Sequence, residues 1–276
     1  MVCGAGTMGS GIAQVIADAG MQALLMDVRE DFVEKGIAGI AKNLAKQAEK
    51  GKLTPEEKDK RLSLIQGTTD IGQAVEADFV IECISEIMEL KKDLFKRLDA
   101  AARPGVILAT NTSALSISEM AAVTKRPEKV IGMHFSNPVP VMKFVEVIKG
   151  YATAGETFLF TKKLAEDLGK VPIEVEEAPG FVLNRILIPM LNEAIYVYAE
   201  GLASAEDIDA AMKLGANHPI GPLALADLIG LDVVLFVMDT LHREFADSKY
   251  RPCPLLRKMV RAGYLGRKTG RGFHTY

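Results

Sequence analysis

Of the four histidines, His134 alone closes a strand-like run, Val130–Phe135, while His218 and His242 lie in helical surroundings and His274 in the terminal tail. The carboxyl ends of strands in open α/β sheets are where ligands bind. Ser136-Asn137-Pro138-Val139-Pro140 then reads as a turn and residues 143–148 as the next β-like run. A reversal centred on Pro140 makes His134 and Glu146 direct antiparallel neighbours with side chains on one face. A carboxylate beside an imidazole orients the ring, raises its basicity and stabilises the imidazolium, which suits a general base. The competing reading is a hydrogen-bonded core pair with no chemistry.

A second set of residues supplies a reaction for that base. Gly4-Ala5-Gly6-Thr7-Met8-Gly9 fits G-x-G-x-x-G, with β-like Val2-Cys3 before it and a helical pattern (Ile12, Val15, Ile16, Ala19) after it. Gly4 permits the tight turn, Gly6 lets a pyrophosphate approach the backbone, and Gly9 lets the helix pack closely with its N-terminus toward the phosphates. Asp27 ends the next β-like run, Ala23–Met26, where a carboxylate binds ribose hydroxyls and disfavours a 2′-phosphate. The cofactor expected is NAD, with NADP kept open by Arg29. Oxidation of an alcohol by NAD needs a base for the hydroxyl proton while hydride leaves carbon, the work that His134 is suited to.

Three further features are candidates for substrate contacts. Residues 106–109 form a strand-like run followed by Thr110-Asn111-Thr112-Ser113, which places Ser113 on the same sheet edge as His134. Ser116, with Glu119 three residues on, already carries the cap of the following helix, so Ser113 is available to bond a substrate oxygen. Asn184 and Asn192 are polar residues in an otherwise apolar helix, and spacing does not choose between them. Residues 30–50 form a helical pattern with Lys42, Lys46 and Lys50 along one face, a line about 12 Å long. Such a line is a solvated face or a site for a polyanion such as coenzyme A.

The elements needed to position these residues follow from the patterning. The runs Ala23–Met26, 79–84, 106–109 and Val130–Phe135 alternate with helical patterns, as in βαβ units around a parallel sheet. After Gly180 the β-rich runs vanish and helical patterns take over at 181–200, 205–214 and Leu231–Phe245. A Pro179-Gly180 pair after the last strand-like run, 173–175, marks the expected boundary between a Rossmann-type domain, residues 1–177, and an all-α domain, residues 178–276. The helix from Phe181 is apolar on nearly every side, which predicts burial in a large core or an oligomer interface.

The chain has 276 residues, 49% hydrophobic and 25% charged, enough to build its core without disulfides or a structural metal and too apolar for disorder. Cys3, Cys83 and Cys253 are odd in number and in no C-x-x-C arrangement, which predicts free thiols in a reducing cytoplasm and no zinc site. A net charge of −3 argues against nucleic acid as a partner. Asp227 and Asp232 interrupt the most apolar stretch, residues 223–238, so no membrane span is expected.

Assembled, these residues resemble the short-chain 3-hydroxyacyl-CoA dehydrogenase family, in particular its bacterial 3-hydroxybutyryl-CoA dehydrogenases. The segments that carry the resemblance are Gly4 to Gly9, Thr110 to Ser113, Gly132 to Pro140, Ala178-Pro179-Gly180-Phe181-Val182-Leu183-Asn184-Arg185 and Gly266 to Phe273. The resemblance implies that His134 is the base, Glu146 its partner, and Ser113 and Asn184 the holders of the reacting oxygen, which selects Asn184 over Asn192. It implies that Glu86, Lys91, Ser113, Asn137 and Lys268 approach the nicotinamide half of NAD and that Lys46 and Lys50 face the acyl-CoA phosphates. A homodimer through the helical domain and a place in fatty acid or butyrate metabolism are implied as well. Two departures stand out: Met1-Val2-Cys3 alone precede the first glycine, which implies either a short first strand or an incomplete start, and Ser136 stands where relatives commonly carry an aromatic residue. The reaction implied is hydride transfer between NAD(H) and C3 of a short acyl-CoA, (S)-3-hydroxybutyryl-CoA and acetoacetyl-CoA. The rivals are a dehydrogenase of a free hydroxy or sugar acid and a non-catalytic dinucleotide-binding protein of the same fold.

Overall fold

The computed structural model describes residues 1–276. The chain divides into two compact units, Met1–Glu177 and Ala178–Tyr276.

The first unit is built on eight strands: β1 (Val2–Cys3), β2 (Ala23–Met26), β3 (Ile65–Thr68), β4 (Phe79–Glu82), β5 (Ile107–Thr110), β6 (Val130–Phe135), β7 (Phe144–Lys149) and β8 (Val171–Glu176). Its helices are α1 (Thr7–Asp18), α2 (Glu30–Glu49), α3 (Pro55–Ser63), α4 (Met88–Ala101), α5 (Ile117–Ala121) and α6 (Gly155–Asp167). The strands form one sheet in the order β3-β2-β1-β4-β5-β6-β7-β8. Neighbours from β3 through to β6 are parallel, β7 is antiparallel to β6, and β8 is parallel to β7. The chain proceeds from β1 to β2 on one side and later returns to β4 on the other, so the crevice at the carboxyl ends of β1 and β4 is the switch point where such sheets take ligands.

The elements follow from their residues. All of β5 and β6 is buried, the pattern of strands covered on both faces. As expected β1 is short, yet both its residues are fully buried and pair with β2 and β4 at once. Ile12 and Val15 of α1 pack with Leu25, Ile131, Met133, Val145 and Val147 in the core. Helix α3 starts on a complete capping box: the Thr54 hydroxyl accepts from Glu57 N at 3.2 Å and the Glu57 carboxylate from Thr54 N at 2.8 Å. Strand β3 escaped the sequence reading because Ile65-Gln66-Gly67-Thr68 has its two central residues exposed and no alternation to see.

The second unit is helical: α7 (Leu183–Ala199), α8 (Ala205–Gly215), α9 (Pro222–Ile229), α10 (Leu231–Phe245) and α11 (Pro254–Arg261). Its core gathers Ile188, Leu191, Ile195, Leu223, Leu231, Val234, Leu241 and Leu256. Helix α7 starts later than the apolar pattern predicts, because Gly180 and Phe181 have φ of 74° and 52° and cannot join a right-handed helix. Its buried face is covered within the unit, while Ile186 remains 68% exposed. The C-terminal tail is held by two buried carboxylates. Asp227 accepts from Phe273 N at 3.0 Å and His274 N at 2.9 Å, and Asp209 meets His274 Nε2 at 2.8 Å. No helix is long and apolar enough to cross a membrane.

Candidate active site

The glycine turn between β1 and α1 separates protein packing from ligand space. A side chain at Gly9 would place its Cβ 1.7 Å from the Gly4 carbonyl oxygen, and one at Gly4, where φ is +107°, would come 2.7 Å from the Cys83 oxygen. Both glycines are therefore demanded by the fold. Gly6 is not: its φ is −71° and a Cβ there meets nothing within 4 Å. The space over Gly6 opens at the start of α1, whose first turn carries no acidic side chain and whose N-cap makes no side-chain hydrogen bond. Uncapped N–H groups and the positive end of a helix are the setting for a phosphate, so the residues fit a dinucleotide.

A cavity of about 740 Å³ continues from Gly4, Ala5 and Gly6 past Asp27, Val28 and Phe32 to Leu94 and Arg97. Asp27 follows the end of β2, and its two carboxylate oxygens accept from Ala5 N and Val28 N, each at 2.7 Å. Those bonds fix the carboxylate in the cavity wall, with oxygen lone pairs remaining for ribose hydroxyls. The Arg29 guanidinium, the one group that kept NADP open, forms a bidentate pair with Asp31 at 2.8 Å and lies 4.6 Å over the Phe32 ring. Arg29 in turn holds the Asp31 carboxyl below the usual carboxylate range, chiefly through these hydrogen bonds.

At the other end of the crevice, β6 and β7 pair in the expected register, with His134 opposite Glu146. His134 Nδ1 lies 2.8 Å from Glu146 Oε2, the ring 7% exposed and the carboxylate fully buried. With Glu146 ionised, Nδ1 carries the hydrogen and Nε2 the lone pair, the tautomer a base requires. Two groups that the motif reading passed over hold this hairpin in place. Asn111 Oδ1 accepts from Phe135 N at 2.9 Å, tying the end of β6 to the end of β5. Lys170 Nζ donates to the Val139 and Met142 carbonyls at 2.5 and 2.8 Å, clamping the turn that carries Asn137, and burial lowers its pKa. Asn111 lies in the polar cluster Thr110 to Ser113, where its type alone assigned it no partner, and a lone Lys has no sequence signature that could have marked it.

Ser113 lies three residues beyond β5, the parallel neighbour of β6, so it shares the sheet edge with His134. Ser116 caps α5 through Glu119 N at 3.1 Å, as expected. The Ser113 N–H donates to Glu86 Oε1 at 2.8 Å, and Glu86 Oε2 meets Lys91 Nζ at 3.2 Å. Lys91 itself is only 1% exposed. Asn137 is exposed in the turn after β6, and Lys46 and Lys50 are exposed at the end of α2. Asn184 and Lys268 belong to the second unit: Asn184 lies in the first turn of α7, and Lys268 forms a bidentate pair with Asp232 at 2.5 and 2.7 Å. Asn192 is committed elsewhere, donating to the Arg251 carbonyl at 3.1 Å and accepting from Cys253 N at 2.8 Å.

Residues 1–178 match the NAD binding domain of 3-hydroxyacyl-CoA dehydrogenase, and residues 180–276 match the C-terminal domain of the same enzymes. The chain belongs to the 3-hydroxyacyl-CoA dehydrogenase family. A probable 3-hydroxybutyryl-CoA dehydrogenase of Bacillus subtilis is 56% identical over 276 residues, covering 100% of this chain and 96% of the relative. The 3-hydroxybutyryl-CoA dehydrogenase of Clostridioides difficile is 54% identical, covering 100% of this chain and 98% of the relative. The crystal structure of (S)-3-hydroxybutyryl-CoA dehydrogenase from Ralstonia eutropha superposes with a TM-score of 0.97 at 52% identity, over 100% of this chain and 97% of that one.

Proposed function

We propose that this dehydrogenase interconverts (S)-3-hydroxybutyryl-CoA and acetoacetyl-CoA with NAD. The observation that carries the proposal is the buried His134–Glu146 pair at 2.8 Å on the edge of a sheet whose glycine turn leaves open space over Gly6. The names of relatives at 52 to 56% identity supply the substrate class. Bound NAD supplies a hydride acceptor at its nicotinamide ring. His134, with Nδ1 committed to Glu146, takes the C3 hydroxyl proton at Nε2 as that hydride leaves, and in the reverse direction returns the proton to the forming alkoxide. Buried Glu146 stabilises the imidazolium formed in oxidation. Ser113 and Asn184 hold the reacting oxygen, which gathers negative charge in the transition state.

In this reading Gly4 to Gly9 and Asp27 bind the pyrophosphate and adenosine ribose. Glu86, Asn137 and Lys268 face the nicotinamide half, and Lys91 serves it from behind Glu86. Lys46 and Lys50 attract the coenzyme A phosphates. Residues 1–177 are the nucleotide domain, and residues 178–276 complete the substrate site and form a homodimer. A cytoplasmic enzyme of fatty acid or butyrate metabolism fits the three free cysteines and the acyl-CoA substrate. One assay tests the reading: NADH consumption with acetoacetyl-CoA against free acetoacetate, for the wild type and His134→Gln. Turnover is expected with the thioester alone, and the substitution is expected to cut kcat by about 10³-fold with NADH affinity nearly unchanged. Equal turnover of free acetoacetate, or a His134→Gln enzyme of normal kcat, sinks it.

A further inference from the structure

Behind Ser113 lies a closed ring of hydrogen bonds that neither the motifs nor the catalytic reading accounts for. It begins at Glu82, the last residue of β4, whose side chain is fully buried. Oε1 accepts from Lys91 Nζ at 2.6 Å and from Ile84 N at 2.7 Å, and Oε2 accepts from Thr110 Oγ1 at 2.7 Å. Thr110 is the register partner of Glu82 on β5. Lys91 then bridges to Glu86 Oε2 at 3.2 Å, and Glu86 Oε1 accepts from Ser113 N at 2.8 Å and from the Thr112 hydroxyl. The ring closes where Thr112 N donates to Thr110 Oγ1 at 3.2 Å.

The segment after β5 belongs to no helix or strand, so its backbone N–H groups must find partners elsewhere. Five consecutive groups do so on or beside the ring. Asn111 N donates to the Glu82 carbonyl at 2.8 Å, Thr112 N to Thr110 Oγ1, Ser113 N to Glu86, and Ala114 N and Leu115 N to Thr112 Oγ1 at 3.4 and 3.0 Å. The Ser113 backbone is thus bonded by Glu86, from the segment between β4 and α4, and through it tied to side chains of β4, α4 and β5. Every oxygen of Glu82 and Glu86 in the ring acts as an acceptor, and the Lys91 ammonium bridges the two carboxylates. Desolvation works against the charge on Lys91, but Glu82 and Glu86 outweigh it and hold the group above its ordinary pKa. Glu82 is pushed up by burial, against the pull of Lys91 and of its hydrogen-bond donors.

We infer that Glu82 is a positioning residue for catalysis, acting through Thr110 on one side and Lys91–Glu86 on the other to hold Ser113 where it meets the reacting oxygen. The inference rests on the role proposed for Ser113, and the experiment separates the two. Hydrogen exchange of residues 111–115 and steady-state kinetics are measured for wild type, Glu82→Gln, Thr110→Val and Ser113→Ala, and for each ring variant combined with Ser113→Ala. Both ring variants are expected to speed exchange of these amides by about tenfold while the β5 amides before them keep their protection. They are also expected to lower kcat by on the order of tenfold to a hundredfold, with KM for NADH changed by less than about threefold. In the Ser113→Ala background the further loss in kcat is expected to be under about twofold, since the hydroxyl that the ring holds against the reacting oxygen is then gone, while any loosening of Glu86 is read separately in KM for NADH. Should Glu82→Gln not fold, Thr110→Val carries the same test, because it removes one hydroxyl and no charge. Unchanged exchange at 111–115, or losses that multiply fully in the Ser113→Ala background, overturn the inference. A Ser113→Ala enzyme of normal kcat overturns the catalytic role of Ser113 instead, while the exchange result still judges the ring's hold on the loop.

Discussion

The same side-chain type does different work at different places in this chain, and its neighbours decide which. Glu146 and Glu82 are both fully buried carboxylates, yet Glu146 meets the His134 imidazole while Glu82 takes an ammonium, a hydroxyl and a backbone N–H. The first suits a group that must stabilise a charge arriving during reaction, the second a fixed post. Arg29 is a similar case. Two residues past Asp27, it is a natural partner for a 2′-phosphate, but its bidentate pair with Asp31 occupies the fork. Asp31→Asn removes that anion while leaving Asp27 in place, so kcat/KM with NADPH is expected to rise about fivefold and that with NADH to change less than about twofold, since an exposed pair is worth little by itself. Parallel assays with the two cofactors check this, and an unmoved NADPH value shows that Asp31 does not govern the preference.

Among the elements, the β1–α1 turn shows how a fold constraint and a ligand constraint are told apart. Gly9 lets α1 lie against β1, and a Cβ 1.7 Å from a carbonyl oxygen cannot be absorbed without moving the helix. Gly9→Ala is therefore expected to cost about 1–3 kcal/mol of stability along with cofactor binding. A Cβ at Gly6 meets nothing in the protein. Gly6→Ala is expected to leave the melting temperature within about 1 °C and to weaken NADH binding by about tenfold or more, because only the approach of the pyrophosphate is obstructed. Thermal unfolding and NADH fluorescence titration of the two variants decide it, and equal destabilisation of both would remove the distinction.

For the molecule as a whole, the outstanding feature is apolar surface on the helical unit. Ile186 is 68% exposed on α7, Leu228 52% on α9 and Phe236 36% on α10. Exposed apolar surface of this kind on a small helical unit favours association with a second copy. Sedimentation velocity is expected to show a dimer at micromolar concentration, and Ile186→Glu to shift it toward monomer with the secondary structure retained. A wild-type monomer at those concentrations removes the dimer from the proposal.

Much of this architecture was legible in the residues because it depends on chain neighbours. Alternating strand and helix patterns, the glycine turn with Asp27, and the hairpin that sets His134 against Glu146 are local or nearly so, and a reversal at Pro140 is enough to define the pairing. The unreadable parts were those whose partners come from separate elements. Strand β3 lacks periodicity and exists because β2 lies beside it. Spacing did not separate Asn192 from Asn184, and what Asn192 does became visible only when its amide met Arg251 and Cys253, about sixty positions away. The ring through Glu82, Glu86, Lys91, Thr110 and Thr112 joins β4, α4 and the segment after β5, and no spacing rule links those residues until strands and helix are packed. By itself, then, the sequence determined the chemistry available and the sheet edge that presents it. Tertiary packing decided which buried groups are committed to one another, because hydrogen bonds and charge pairs form between whatever side chains burial brings together.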